Sequence, residues 1–186
     1  MSWIVYQNMP ALMEAREWTV TPDLQARDDF EKTMQRQGYV VLVGKNRHQE
    51  PSSIVITRED SSIPNHKNDF VRMAGQVSGE VLLISNRVLT TAVREYSNTA
   101  GLNIYSDVFD RFKIDMRRAP LVPKHEIVDK SEVAGILNYT KPNEIPGISI
   151  NDTQAVWLGA RLRDIIRIES DSDHCGKRIT YRYCVP

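Results

Sequence analysis

One histidine stands between a lysine and a glutamate in the segment LVPKHEIV, residues 121–128. Histidine changes its charge near neutral pH, so it is the side chain most often used as a general acid or base. Such chemistry also needs a nucleophile and an acid that orients the imidazole. The sequence places neither a serine, a cysteine nor an orienting acid where it would serve His125 in this way. A structural role for His125 is therefore favoured over a catalytic one.

A second candidate is acidic. Some metal-dependent nucleases place one acid on a mixed sheet and then Glu-x-Lys on a following strand, where the lysine stabilises the developing negative charge. Here the corresponding run is Glu80-Val81-Leu82, with Asp60 or Asp69 as the other acid. Because a leucine occupies the lysine position, surface acids are the favoured interpretation. A metal-dependent nuclease remains the alternative hypothesis from a different functional class.

The metal-ligating and cofactor-binding motifs are weak. Cys175 and Cys184 are the two cysteines of the chain, too few for a disulfide framework and typical of a reducing compartment. A zinc site would have to combine them with His174 and the distant His125, without a Cys-x-x-Cys pair. The glycine-rich loops that hold nucleotides and the Gly-x-Ser-x-Gly elbow of hydrolases are not present. We therefore expect two thiols, no metal, no cofactor and no small-molecule ligand.

The composition indicates a folded globular protein. The chain has 186 residues, of which 41% are hydrophobic and 26% are charged, which suits one domain or two small ones. Its 24 basic residues match 24 acidic residues, so a broad basic field for nucleic acid is excluded and any such contact must be local. Apolar runs are far shorter than the roughly 20 residues that cross a bilayer. We expect no membrane association and, from the start of the sequence, no signal peptide.

Helices alternate with strands over the first part of the chain. Helical spacing begins near Asn8, and Thr21-Pro22 predicts the start of a second helix that ends at Gly38. Two further helices are predicted, one behind an Asn65 cap and one that begins near Leu89. Apolar runs without polar alternation, typical of strands covered on both faces, fall at residues 39–45, 52–58, 80–86 and 102–106. The pattern predicts a helix-flanked mixed sheet over residues 1–116.

The sequence changes character at MRRAPLVPKH, where we place the boundary of a second domain, residues 117–186. Pro120 and Pro123 should hold a short extended piece out of helix. A short helix is expected over residues 129–138, and Asp152 should cap a helical turn that Gly159 ends. Alternation then predicts a terminal hairpin with strands at 164–170 and 177–185. The fold class is thus α+β or α/β, with a small α+β domain that closes on a hairpin.

From Leu121 onward the chain resembles a known family, the subunit shared by the eukaryotic nuclear RNA polymerases I, II and III, ranked fifth by size in yeast, together with its short counterpart in archaeal RNA polymerase. The motifs that carry the resemblance are LVPKHEIV, IPGISINDTQAVWLGAR, RDIIRIESDSD and KRITYRYCV, in the family's order and spacing. Upstream, MPALMEAREWTVT and SNRVLTTAVREY are looser matches to the eukaryotic members. The sequence VWLGAR is closer to that of viral members, which favours a homologue encoded by a large DNA virus.

The chain departs from the family pattern at three places. Asp152-Thr153 stands where the family has Asp-Pro, and Arg163-Asp164 stands where it has Gly followed by an acid. The family's Thr-Pro-Ser-Ala loop is replaced by Leu-Thr-Thr-Ala at residues 89–92. That last change keeps hydroxyl groups but loses the proline, so it weakens the inference of a DNA contact there.

The resemblance implies a non-catalytic subunit of a DNA-directed RNA polymerase. It implies that the C-terminal domain assembles on the largest subunit and that the N-terminal domain is a jaw near downstream DNA, with a restriction-endonuclease-like sheet that lacks an active site. The expected contacts with the largest subunit are Pro123, Lys124, His125, Arg178, Tyr181 and Arg182. The expected DNA-proximal residues, which would touch the backbone without reading sequence, are Arg87, Thr90, Thr91 and Arg94.

The location would be the site of transcription: a cytoplasmic viral factory and the virion for a viral protein, or the nucleus for a cellular one. Two other hypotheses stay open beside the polymerase subunit. The first is the nuclease considered above, and the second is a free scaffold that carries the same C-terminal module.

Overall fold

The computed structural model describes residues 2–77, 79–101, 103–138, 141–172 and 176–186. The chain forms two compact units, one up to Ile114 (unit 1) and one from Asp115 onward (unit 2). Each unit contains a four-stranded mixed sheet and several helices over its described residues, so the expected mixed α+β architecture is confirmed. Within the described part of the chain, no helix is both long enough and apolar enough to span a membrane.

Unit 1 is built on a sheet with strand order β1-β2-β3-β4. β1 pairs antiparallel with β2, whereas β2, β3 and β4 run parallel to one another. The strands are β1 Tyr39–Lys45, β2 Pro51–Thr57, β3 Glu80–Ser85 and β4 Asn103–Val108. The helices are α1 Ser2–Gln7, α2 Met9–Ala15, α3 Arg27–Gln37, α4 Lys67–Ala74 and α5 Thr91–Thr99.

The two central strands of unit 1 are covered on both faces, which explains their unbroken apolar sequences. On one face Val55 and Leu83 pack in a cluster with Phe70 of α4 and Val93 of α5. Side chains of the opposite face, such as Leu82, are equally buried. On that side α1 lies against β2, and the Ser2 hydroxyl donates a hydrogen bond to the Thr57 carbonyl at 3.0 Å. The crossover helices that parallel strands need are α4, between β2 and β3, and α5, between β3 and β4.

The predicted start of the second helix was wrong. α3 begins at Arg27, not at Thr21-Pro22, although it ends as predicted at Gly38, whose φ is +80°. The preceding segment runs along the edge of β1, where the Thr19 N–H donates to the Lys45 carbonyl at 2.9 Å and the Lys45 N–H donates to the Val20 carbonyl at 3.1 Å. A tertiary pairing thus overrides a local start signal. The cap of α4 is His66 and not Asn65, because a turn in which the N–H groups of both residues donate to the Ser62 carbonyl precedes the helix.

Unit 2 has a sheet with strand order β5-β7-β8-β6. β7 pairs antiparallel with both β5 and β8, and the short β6 runs parallel to β8. The predicted terminal hairpin is therefore confirmed. The strands are β5 Lys124–Ile127, β6 Gly147–Ser149, β7 Ile165–Ser172 and β8 Gly176–Val185. The helices are α6 Lys130–Leu137 and α7 Thr153–Leu158.

The two helices of unit 2 cover opposite faces of its sheet. α7 places Ala155 and Leu158 against Ile166 and Cys184, while α6 packs in the cluster that contains Ile165. Both helices start at an aspartate whose carboxylate accepts a backbone N–H from the first turn, Asp129 for α6 and Asp152 for α7. The cap at Asp152 is the one that the sequence predicts, and α6 begins at Lys130, next to the predicted start at residue 129.

The segment between Pro120 and Pro123 was predicted to be extended, and this was wrong. The Val122 N–H donates to the Ala119 carbonyl at 2.9 Å, which closes a β-turn with Pro120 at its second position. Proline is favoured there because its fixed φ matches that position. The turn leaves Leu121 at its tip, 96% exposed. Extended structure begins only at Lys124.

Gly44 of β1 is predicted to be intolerant of any side chain. A Cβ at this position would lie 2.2 Å from the Val20 carbonyl oxygen and 2.6 Å from the Trp18 ring. Gly44→Ala should displace the segment that covers the edge of β1 and lower the free energy of unfolding by about 1–3 kcal/mol. Urea unfolding followed by tryptophan fluorescence measures this loss. Gly75→Ala is the matched control in unit 1, because its Cβ would make only ordinary contacts; equal stability of the two variants would contradict the prediction.

Candidate functional site

The six side chains expected at a partner interface all lie in unit 2, on β8 and on β5 with the residue before it. Because β5 and β8 flank β7, the fold brings these strands into one sheet. It does not bring the side chains onto one face. His125 lies in register with Ile168 and Thr180, whereas Lys124 lies in register with Glu169 and Ile179. Neighbouring residues on a strand point to opposite faces.

Alternation divides the expected set into two groups. His125, Arg178 and Arg182 share the face on which α7 packs, and Lys124 and Tyr181 share the face on which α6 packs. Pro123 precedes β5. A partner that touched all of them would therefore have to meet the sheet at an edge or on both faces.

The His125 side chain is hydrogen-bonded to the backbone two residues before it. Its Nδ1 lies 2.8 Å from the Pro123 carbonyl oxygen. Because a carbonyl only accepts hydrogen bonds, this contact requires the proton on Nδ1 and makes Nε2 an acceptor in the neutral ring. The histidine thereby braces the entry of the chain into β5. This geometry supports the structural interpretation over a general base.

The α6 face of the sheet carries a chain of ion pairs. Lys124 lies 2.8 Å from Glu126, Glu126 pairs with Arg167, and Arg167 reaches Glu132 of α6 at 3.5 Å. The hydrogen bond from Lys124 is the main reason why the pKa of Glu126 is lowered; desolvation opposes it and Arg167 adds to it. Lys124 is thus already engaged within the unit. Sequence reasoning missed Arg167, which shares Glu126 with Lys124.

The first residues of unit 2 form an anchor that sequence reasoning did not detect. The Asp115 carboxylate accepts hydrogen bonds from the Arg117 backbone N–H at 3.1 Å and from its guanidinium at 2.9 Å. The guanidinium lies over the ring of Trp157 in α7, 5.5 Å from the centroid. Burial alone would raise the pKa of Asp115, but the hydrogen bonds and charges of Arg117 and Arg118 outweigh it and lower that pKa. The spacing Asp-x-Arg and a tryptophan in an apolar helix were the available signals.

The four expected DNA-proximal residues come together at one end of unit 1. Arg87 follows β3, Thr90 occupies the N-cap position of α5, and Thr91 and Arg94 lie in its first turn. All four are exposed. The loop is held in place because the Thr90 N–H donates to the Pro64 carbonyl at 3.0 Å while the neighbouring Leu89 N–H donates to the Ser106 hydroxyl at 2.8 Å. These side chains are therefore presented from an ordered loop and helix start.

The acids of the nuclease hypothesis are each engaged with arginine. Asp60 pairs with Arg58, and Asp69 pairs with Arg72 at 2.7 Å. Glu80 acts on Arg16, which is half-buried: desolvation lowers the pKa of Arg16 to about 10, and the charge of Glu80 is the largest effect in the opposite direction. These carboxylates thus act as counter-ions. Among the described residues, no group of three or more His, Cys, Asp or Glu side chains is arranged to hold a metal.

The proposed zinc ligands His174 and Cys175 lie outside the described residues. Cys184 is a buried thiol within the α7 cluster. Burial, followed by the charge of Asp164, raises its pKa. A raised pKa favours the neutral thiol over the thiolate that would bind metal, so Cys184 acts as a packing residue.

The sequence of unit 2 matches proteins of known assignment. Residues 114–184 match the family described as RNA polymerase Rpb5, C-terminal domain. The DNA-directed RNA polymerase subunit Rpo5 of Sulfolobus acidocaldarius is 39% identical over 75 residues, which cover 39% of this chain and 89% of the relative. The Rpo5 subunit of Nitrosopumilus maritimus is 41% identical over 66 residues, which cover 34% of this chain and 80% of the relative. The chain belongs to the RNA polymerase Rpb5 family.

A viral relative of the Rpb5 family also matches. The DNA-directed RNA polymerase RPB5 homologue of African swine fever virus is 29% identical over 92 residues, which cover 48% of this chain and 44% of the relative. Membership of the Rpb5 family makes the protein a non-catalytic subunit of a DNA-directed RNA polymerase, part of the transcription machinery. The resemblance found in the sequence is therefore confirmed.

The Rpb5 match begins beside the Asp115 anchor, which is predicted to stabilise unit 2 at neutral pH. Because the folded-state pKa of Asp115 is lowered, its contribution is present above the unfolded value and is lost as pH falls below about 4. Asp115→Asn should lower the free energy of unfolding by about 1–2 kcal/mol at pH 7. It should also weaken the loss of stability on acidification.

Urea unfolding at neutral and acidic pH, followed by near-ultraviolet circular dichroism, measures both effects. Asp171→Asn is the control, because Asp171 is an exposed carboxylate of the same unit. The anchor would be refuted if both variants showed the same stability at pH 7 and the same acid dependence.

Proposed function

We propose that the protein attaches to the largest subunit of RNA polymerase through its C-terminal domain, residues 117–186, and that its N-terminal domain, residues 1–116, is a jaw-like element near downstream DNA. One observation carries the first part. The aligned region makes up 89% of the Sulfolobus subunit but only 39% of this chain, so that relative consists almost wholly of the matched region. A subunit that consists almost wholly of this region must join its polymerase through it. The same region is therefore the best candidate for the attachment domain of this chain.

The exposed side chains of unit 2 support an attachment role. Leu121 stands fully exposed on a turn that Pro120 stiffens, and Ile179 of β8 is 53% exposed. Arg178 is exposed beside it. Apolar and arginine side chains are enriched at the centres of stable protein interfaces. Because the turn is already rigid, its immobilisation on binding costs little conformational entropy. We place the contact surface at this turn, at Pro123, Lys124 and His125, and at Arg178, Tyr181 and Arg182.

The jaw-like domain is proposed to contact the DNA backbone through Arg87, Thr90, Thr91 and Arg94. A subunit that is held by protein contacts needs only a few phosphate contacts, which agrees with the net charge of zero. Phosphate contacts of this kind position DNA without reading its sequence. The helix-flanked mixed sheet would then be a restriction-endonuclease-like scaffold without an active site, in which the charge of Glu80 acts on the half-buried Arg16.

The protein is proposed to act wherever its polymerase transcribes. The viral relative supports a large-DNA-virus origin, for which the location would be a cytoplasmic viral factory and the virion. A cellular origin would place it in the nucleus.

Attachment is tested by purifying the affinity-tagged full chain with its native polymerase. We expect the largest subunit to be recovered, and recovery to fall about tenfold in Leu121→Asp or Arg178→Glu, as for a loss of about 1.4 kcal/mol. Both residues are exposed, so these changes leave the core of unit 2 intact. Lys130→Glu on α6 is the control for charge reversal, since Lys130 is also exposed. No recovery of polymerase by the unaltered chain would refute the proposal.

DNA contact is tested in the assembled polymerase that carries Arg87→Ala and Arg94→Ala together. Loss of up to two phosphate contacts should reduce the slope of log affinity against log salt by up to about two, with no loss of the subunit from the enzyme. The measurement is a salt titration of polymerase binding to downstream duplex. Arg36→Ala is the control, because Arg36 is an exposed arginine on α3 of the same unit. An unchanged slope in the double variant would remove the DNA-proximal assignment.

A further inference from the structure

The outer edge of β8 is only partly paired. On one side β8 pairs with β7 from Gly176 to Tyr183. On the other side β6 pairs only with Tyr183, Cys184 and Val185. The stretch from Gly176 to Arg182 therefore forms an edge of the sheet over the described residues. Such an edge presents a row of backbone donors and acceptors that another strand can pair with.

The direction of the backbone groups identifies which residues face this edge. The Cys184 N–H donates to the Asp164 carbonyl at 2.8 Å, so the backbone groups of Cys184 point toward β7. The Tyr183 N–H points the other way, to the Pro146 carbonyl at 3.0 Å. Because the direction of these groups alternates along an antiparallel strand, the backbone N–H and C=O groups of Tyr181 and Ile179 point outward, as those of Tyr183 do. In the described part of the chain, no backbone group pairs with the outward N–H or C=O of Ile179 or Tyr181.

All charged residues of the exposed edge are basic. Residues 177–182 read KRITYR and contain three basic residues and no acid. Lys177 pairs with Glu169 across the hairpin, which leaves Arg178 and Arg182 as the basic side chains of the α7 face. The α6 face carries the apolar Ile179, which is 53% exposed, and Tyr181. The edge thus has a basic face and an apolar face.

We propose that this edge, residues 176–182 of β8, binds an extended acidic segment of another polymerase subunit as an added strand. The segment would alternate acidic residues, on the side of Arg178 and Arg182, with apolar residues, on the side of Ile179 and Tyr181. Main-chain hydrogen bonds to Ile179 and Tyr181 supply the pairing, and the two faces supply the selectivity. This inference rests on the proposed attachment to polymerase and adds the chemistry of the partner.

A second copy of the chain is a poorer occupant of the same edge. Pairing of two identical edges would bring the arginines of both strands together, and like charges on facing strands destabilise a sheet. An acidic strand reverses the sign of that interaction. Charge complementarity therefore selects a different chain, one that is acidic where β8 is basic.

Hydrogen exchange of the full chain, alone and in purified polymerase, tests the inference residue by residue. The amides of Ile179 and Tyr181 should exchange at least tenfold more slowly in the enzyme than in the isolated chain. The amides of Arg178 and Thr180, which face β7, are the internal controls and should be protected in both. Unchanged exchange at Ile179 and Tyr181 in an enzyme that contains the protein overturns the inference but leaves the proposed attachment standing.

The pairing and the charge preference are tested separately on the isolated full chain, so failure of attachment does not decide them. A short peptide of alternating glutamate and valine should slow exchange at Ile179 and Tyr181, and one of alternating lysine and valine should not. Ile179→Pro removes an outward N–H without removing a bond to β7 and should abolish the effect, whereas Ile179→Val should retain it. Equal effects of the two peptides, or no effect of the acidic one, overturn the inference.

Discussion

The antiparallel pairing of β7 with β8 is the interaction on which unit 2 depends. Its register places Ile166 beside Arg182 on one face and Ile165 beside Tyr183 on the other. A shift by one residue would exchange the two faces, because side chains alternate along a strand. Ile166 would then leave its cluster with α7, and Ile165 would leave its cluster with α6. Both helices thus depend on one register, and each helps to fix it.

The same register determines the form of the candidate interface. β5 joins the far side of β7, so the motif LVPKHEIV and the terminal strand lie in one sheet although they are distant in sequence. Because alternation sends His125 and Lys124 to opposite faces, no flat partner surface can meet the whole motif. Contacts at an exposed edge and at the tip of a turn avoid this restriction. The geometry therefore favours recognition at the margin of the sheet over recognition of one broad face.

The local signals in the sequence were sufficient where no distant segment competed with them. Asp152 and Gly159 delimit α7 as expected, and the hairpin follows from period-two alternation. The start of α3 was wrong because Val20 pairs with Lys45, a contact that local pattern does not contain. The turn at Pro120 was read as extended because proline is equally compatible with both conformations until the Ala119–Val122 hydrogen bond is known.

The candidate site followed the same rule. Arg178, Tyr181 and Arg182 lie on a strand of the predicted hairpin, since alternation is a local property, whereas the strand at Lys124 and His125 was not predicted. Their division between two faces required the strand order β5-β7-β8-β6, which is a tertiary fact. The Asp115 anchor was missed because Arg117 and Trp157 are brought together only by folding. Sequence thus predicts which segments matter more readily than which side chains act together.

Attachment through a small unit is physically reasonable because much of its binding surface is already ordered. The turn at Leu121 is closed by a hydrogen bond and stiffened by Pro120, and β8 is held along one side by β7. Binding to such elements avoids most of the entropy that a flexible segment would lose. The remaining free energy can come from a few buried apolar and arginine contacts. With the proposed attachment, unit 1 needs no strong DNA affinity of its own, which is compatible with the net charge of zero.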